Sequence, residues 1–139
     1  MSVRSRPEQS ATRPILVVDD ESIVLQSIQL ILRHAGYESI AARSGSEAIE
    51  ILRGEGELSL AIVDLVLLDV AGEEVLALAR ELRPHLPLIA MSGFGHRLSG
   101  ARVKVSADAE IVKPFDRRIL IDTVASILSS AGSIPVNDC

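Results

Sequence analysis

Leu58-Ser59-Leu60-Ala61-Ile62-Val63-Asp64 is a mostly apolar run that stops on a single carboxylate, and Gly72 follows Asp64 eight residues later. Apolar residues at consecutive positions, rather than alternate ones, suit a strand covered on both faces. The run is far too short to cross a membrane. Asp64 therefore falls at the carboxyl end of a buried strand, with a loop rich in apolar residues leading on to Gly72.

Ile15-Leu16-Val17-Val18 has the same character and ends in Asp19-Asp20-Glu21. Tyr37 to Ala42 reads as a further strand. So does Pro87 to Met91, which ends at Ser92-Gly93, and so does Ala109 to Val112, which is followed by Lys113-Pro114-Phe115. Helical spacing fills the gaps. Val24, Ile28, Ile31, Leu32 and Ala35 share one face, with Gly36 as the stop. Ser44 and Glu47 form a capping box before Ala48, Ile49 and Leu52, and that helix ends at Gly54 and Gly56. Glu73 and Glu74 favour the first turn of a helix carrying Val75, Leu76, Leu78, Ala79 and Leu82, which Pro84 terminates. Asp116 caps the last helix, with Phe115 and Leu120 as a hydrophobic staple and Ile121, Val124, Ile127 and Leu128 continuing the face. Phe94 to Val105, with Gly95, Ser99 and Gly100, has only a weak helical pattern. Five strands alternating with about five helices predict an α/β fold, an open doubly wound parallel sheet with right-handed crossovers. Residues 1–13 read as a flexible leader, 14–130 as the domain and 131–139 as a flexible tail.

Composition narrows the function. The chain has 139 residues, 47% of them apolar and only 2% aromatic, so the core is built from Leu, Ile, Val and Ala. A net charge of −5 disfavours nucleic-acid binding, which needs a basic face. Cys139 is the single cysteine, which excludes an internal disulfide and points to a reducing, cytoplasmic setting. No apolar h-region follows Arg4, Arg6 and Arg13, so no signal peptide is read. His34, His85 and His96 lie apart, and His34 suits a solvated helix end better than a ligand role.

In open α/β sheets ligands bind at the carboxyl ends of the strands. Asp19, Asp20, Asp64, Ser92 and Lys113 all fall there. Close carboxylates repel one another unless they take up protons or a cation holds them. Hard oxygen donors suit Mg²⁺. With three carboxylates, a dication and an ammonium the formal charges cancel. Asp64 is a candidate nucleophile, and an ammonium, a hydroxyl and a metal are groups that stabilise a phosphoryl in transfer. Each motif also has a plain reading: an acidic helix start at Asp19-Asp20-Glu21, a turn at Ser92-Gly93, a surface loop at Lys113-Pro114. Asp69 rivals Asp64, but has no glycine eight residues on.

Together, Val17-Val18-Asp19-Asp20-Glu21, Asp64 with Gly72, Met91-Ser92-Gly93 and Lys113-Pro114-Phe115 resemble the receiver domain of two-component response regulators, over about residues 14–130. The resemblance implies a flavodoxin-like (βα)₅ sheet in strand order 2-1-3-4-5, often with a cis peptide bond before the proline. It implies phosphorylation of Asp64 by a histidine kinase or histidine phosphotransfer protein. It implies Mg²⁺ held by Asp20, Asp64 and the backbone carbonyl of Val66, with Asp19 acting through a water. Ser92 would turn to the phosphoryl and Lys113 would pair with it.

The sequence departs from the family's usual pattern at Leu68, where proline is usual, and at Glu110, where an aromatic is usual. Val66 and Phe94 stand where side chains tune dephosphorylation, and neither can orient a water, so slow self-dephosphorylation is expected. Glu110 reads as a solvated edge residue, or secondarily as an ion-pair partner of Arg97, Arg102 or Lys104. The expected output is contact with a downstream protein through the fourth and fifth helices, by a monomer or weak dimer, stand-alone or part of a hybrid kinase, with no nucleic acid or membrane as partner. Two alternatives stand beside this. An aspartate-nucleophile phosphatase usually has a second Asp where this chain has Val66. A receiver-like module could bind partners without phosphorylation.

Overall fold

The structure is a computed structural model that describes residues 13–93 and 107–137, the last of these (131–137) as backbone only. Within them lie the strands β1 (Ile15–Val18), β2 (Ser39–Ala42), β3 (Leu60–Asp64), β4 (Leu88–Gly93) and β5 (Ala109–Lys113). The helices are α1 (Ser22–His34), α2 (Gly45–Arg53), α3 (Gly72–Leu82) and α4 (Arg117–Asn137). α4 is the fifth helix of the sequence reading. The fourth, with Phe94, His96, Arg97, Arg102 and Lys104, lies outside the described residues, as do residues 1–12, Asp138 and Cys139.

All five strands are parallel, in the order β2-β1-β3-β4-β5. This is the doubly wound sheet that the alternation of strands and helices predicts, in the flavodoxin-like order that the resemblance implies. Successive side chains of a strand point to opposite faces, and the sheet uses both. Leu16, Val18, Ala61, Val63, Leu88 and Ala90 pack with Ala48 and Leu52 of α2 and Val75, Leu76 and Ala79 of α3. Ile15, Val17, Leu60, Ile62, Ile89, Met91 and Ile111 pack on the other face, with Leu25, Ile28 and Leu32 of α1 and Leu120 and Val124 of α4. Burial on both faces is why the three central strands β1, β3 and β4 read as largely continuous apolar runs.

Several boundaries differ from the sequence reading, each for a local reason. β2 begins at Ser39, not Tyr37, because Gly36 and Tyr37 finish α1. Gly36 takes φ of 94°, its N–H donates to the Arg33 carbonyl at 3.0 Å, and the Tyr37 N–H donates to Leu32 at 2.9 Å. That is a Schellman ending, which uses a glycine in the left-handed region. β4 continues through Ser92 and Gly93, which pair with Val112 and Lys113. Ser92 thus sits inside the ladder, not beyond it. β3 likewise keeps Asp64, paired with Met91. The Ser44 cap forms, its Oγ accepting the Glu47 N–H at 3.0 Å; Glu47 reaches back one residue further than the usual box, to the Arg43 N–H at 2.8 Å. Asp116 accepts the Ile119 N–H at 2.9 Å at the start of α4. Residues 131–139 read as a tail in the sequence, but the α4 backbone is helical through Asn137, across Gly132 and Pro135. Such residues weaken a helix interior, yet extending a formed helix avoids the costly nucleation step.

Candidate functional site

Among the described residues three polar or charged side chains are buried: Asp19, Asp64 and Ser92, exposed by 0%, 4% and 0%. All three lie at the carboxyl edge of the strands. Asp19 follows the last residue of β1, Asp64 ends β3, Ser92 is the penultimate residue of β4, and Lys113 ends β5. Register brings them together. Val18 pairs with Val63, one step before the two aspartates, and Asp64 pairs with Met91, the neighbour of Ser92.

Lys113 joins the two buried carboxylates. Its Nζ donates to Asp64 Oδ2 at 2.7 Å and to Asp19 Oδ2 at 3.1 Å. The remaining oxygens take backbone donors: Asp64 Oδ1 accepts the Val66 N–H at 3.0 Å and Asp19 Oδ1 the Glu21 N–H at 2.9 Å. Burial pushes the Asp19 carboxyl above its ordinary range; the Glu21 N–H opposes this, the charge of Asp64 adds to it, and Lys113 only partly offsets it. Burial works against the Lys113 ammonium, but the hydrogen bond and charge of Asp64, with those of Asp19, outweigh it and lift its pKa. The site carries more negative charge than one ammonium can balance.

Asp20 is half-buried, and its Oδ2 accepts the Leu68 N–H at 2.8 Å. A proline at position 68 would lack that donor. Leu68 therefore anchors Asp20 by its backbone while its side chain stays exposed. The Leu65–Gly72 loop is pinned at both ends. The Gly72 N–H donates to the Leu65 carbonyl at 3.1 Å. A Cβ on Gly72 would run into the Asp64 carbonyl oxygen and Leu65 Cα. The glycine eight residues after Asp64 is thus a steric requirement of the backbone that carries the carboxylate. The Lys113–Pro114 peptide bond is cis.

The structure brings together Asp19, Asp64 and Lys113 by direct contact. It places Asp20 and Val66 on the two loops beside them and Ser92 on the next strand. Ser92 bonds elsewhere: its Oγ donates to Glu110 Oε2 at 3.2 Å. The sequence reading missed that link, because Glu110 becomes a neighbour of Ser92 only through the β4–β5 register. It also missed the role of Asp69, whose carboxylate caps α2 through Gly45 and Ser46. Among the described residues no three His, Cys, Asp or Glu side chains form a metal centre on their own. The implied set is smaller, two carboxylates and a backbone carbonyl completed by waters. Its hard oxygen chemistry and excess negative charge fit Mg²⁺.

Residues 15–125 match the response regulator receiver domain, and the chain belongs to that family. Among its relatives is the polar-differentiation response regulator DivK of Brucella ovis, 32% identical over 124 residues, covering 86% of this chain and 99% of that one. A CheY-like receiver domain protein from Methanospirillum hungatei superposes with a TM-score of 0.78 at 32% identity, covering 87% of this chain and 97% of that one. The response regulator TrrA of Thermotoga maritima, solved in complex with Mg²⁺ and BeF, gives 0.72 at 28% identity, over 83% of this chain and 98% of that one. No helix among the described residues is long and apolar enough to cross a membrane.

Proposed function

We propose that this receiver domain is a phosphorylation switch with Asp64 as its acceptor. The observation that carries the reading is the burial of Asp19, Asp64 and Ser92 at one edge of an otherwise apolar core, with Lys113 across the two carboxylates. Buried charge is costly, and a fold that needed only stability would do as well with apolar residues there. A carboxylate oxygen of Asp64 forms the new P–O bond. The P–N bond of a donor phosphohistidine breaks, and its electron pair stays on the imidazole. The donor is a histidine kinase or histidine phosphotransfer protein.

Lys113, already 2.7 Å from Asp64 Oδ2, pairs with the incoming phosphoryl oxygens. Ser92 supplies a hydroxyl donor from the neighbouring strand. Asp20, Asp64 and the Val66 carbonyl would hold Mg²⁺, with Asp19 reaching it through water; when bound, the ion neutralises charge on the transferring group. The relative solved in complex with Mg²⁺ and BeF supports Mg²⁺ as the ion. The phosphorylated form favours one of two surface states, which a downstream protein reads in the cytoplasm. Labelling with acetyl phosphate and Mg²⁺ tests the reading. Wild type labels and Asp64→Asn does not. An unlabelled wild type would sink the proposal, and full labelling of Asp64→Asn would move the acceptor elsewhere.

A further inference from the structure

Ser92 stands opposite Val112 on β5, and Glu110 is two residues before Val112, on the same face of the strand. The Ser92 hydroxyl crosses to it diagonally, donating to Glu110 Oε2 at 3.2 Å. A serine hydroxyl has one proton to give. While that proton rests on Glu110 it is not available to an oxygen on Asp64. Ser92 is fully buried and lies inside the β4 strand, so a change of acceptor has to come from its side chain.

The geometry points to Glu110 as a positioning residue: its carboxylate holds the Ser92 hydroxyl away from Asp64 in the unphosphorylated protein. The inference rests on the reading of Asp64 as the acceptor. Phosphorylation must then draw the hydroxyl from one anion to another. The hydrogen bond gained at the phosphoryl is offset by the one given up at Glu110, so the phosphorylated state is less favoured than it would be beside a neutral residue. Glu110 thereby sets how strongly Ser92 can reward phosphorylation.

The test measures apparent affinity for beryllofluoride with Mg²⁺, followed by fluorine NMR of the bound fluorides. The proteins are wild type, Glu110→Ala, Glu110→Gln, Ser92→Ala and the Ser92→Ala/Glu110→Ala double variant. Glu110 is exposed, so its substitution leaves the core intact. Glu110→Ala is expected to bind roughly fivefold more tightly, the scale of one net hydrogen bond. Glu110→Gln keeps an oxygen acceptor and falls between wild type and Glu110→Ala. In the Ser92→Ala background the Glu110→Ala change has no further effect, as coupling through one hydrogen bond requires. A gain that persists without the Ser92 hydroxyl, or no gain at all, overturns the inference while leaving Asp64 as acceptor. Wild type that neither binds beryllofluoride nor labels with acetyl phosphate overturns the reading of Asp64 and the inference with it.

Discussion

The Asp69 carboxylate closes the N-terminus of α2 on Ser46: Oδ2 accepts both the Ser46 hydroxyl at 2.8 Å and its N–H at 3.0 Å. Oδ1 takes the Gly45 N–H at 2.9 Å and the Val70 N–H at 2.8 Å. A helix N-terminus presents unpaired donors and favours an anion. One exposed side chain thus ties the loop after Asp64 to the start of α2, on the same face of the sheet.

The Ser46 hydroxyl, then the Gly45 and Ser46 N–H groups, hold the Asp69 carboxyl at about 2, below its ordinary 3.8. A depressed carboxylate contributes stability above its unfolded pKa and loses it as pH falls through the folded one. Wild type should therefore exceed Asp69→Asn in urea midpoint at neutral pH. The gap should begin to close near pH 4 and be gone by about pH 2. A gap unchanged across that window would mean that the charge of Asp69 contributes nothing to the cap.

Asp19 has the opposite sign. Its carboxyl is raised, chiefly by burial, so its contribution is most favourable below 3.8 and is lost as pH rises through the folded value. Once pH has passed the folded value, the ionised group is a cost. Asp19→Asn, in Mg²⁺-free buffer, is expected to be more stable than wild type by roughly 1 kcal/mol, the scale of an ordinary single-site effect. Mg²⁺ should raise the melting temperature of wild type more than that of the variant, because only wild type keeps the full set of anionic oxygens. Calorimetric scans with and without Mg²⁺ check this, and a variant less stable than wild type at pH 7 would refute it.

Much of this site was legible because each member ends a strand, and a strand buried on both faces announces itself as an apolar run. Asp19 and Asp64 each follow such a run, and Lys113 follows the shorter Ile111-Val112 pair of an edge strand, so all three fall on one edge without any knowledge of pairing. Links that depend on register were not legible. Glu110 and Ser92 lie on different strands, and only the Ser92–Val112 pairing brings them together. The same holds for Asp69, which finds Gly45 and Ser46 across a long sequence separation. The boundary at Tyr37 failed for another reason: an apolar aromatic after glycine looks like a strand start, while its N–H completes the preceding helix.

Gly72 offers a steric test of the loop that follows Asp64. Any Cβ there meets the backbone of Asp64 and Leu65, which cannot yield as a side chain end would. Gly72→Ala should cost about 1–3 kcal/mol, the usual range for overpacking. It should also lower acetyl phosphate labelling of the folded fraction, since relief of the clash displaces Asp64. Urea unfolding and labelling under conditions where the variant is folded separate the two effects. Normal stability in Gly72→Ala would show that the loop can move away without cost.

Val66 bears on how long a phosphorylated state lasts. It follows Asp64 by two residues, its N–H is bound to Asp64 Oδ1 at 3.0 Å, and its side chain is 59% exposed. Hydrolysis of an acyl phosphate needs a water aligned with phosphorus, and a side chain that can accept or donate a hydrogen bond aligns it. An isopropyl group does neither. Purified phosphoprotein should therefore lose its label over minutes or longer, and Val66→Asn should shorten that lifetime roughly tenfold, less than the roughly 10²–10⁴-fold of full acid–base catalysis because an amide only orients the water. Decay of the radiolabel with Mg²⁺ present measures both. A wild-type lifetime of seconds would remove Val66 as the determinant, and an unchanged lifetime in Val66→Asn would shift the control of hydrolysis to another residue beside Asp64.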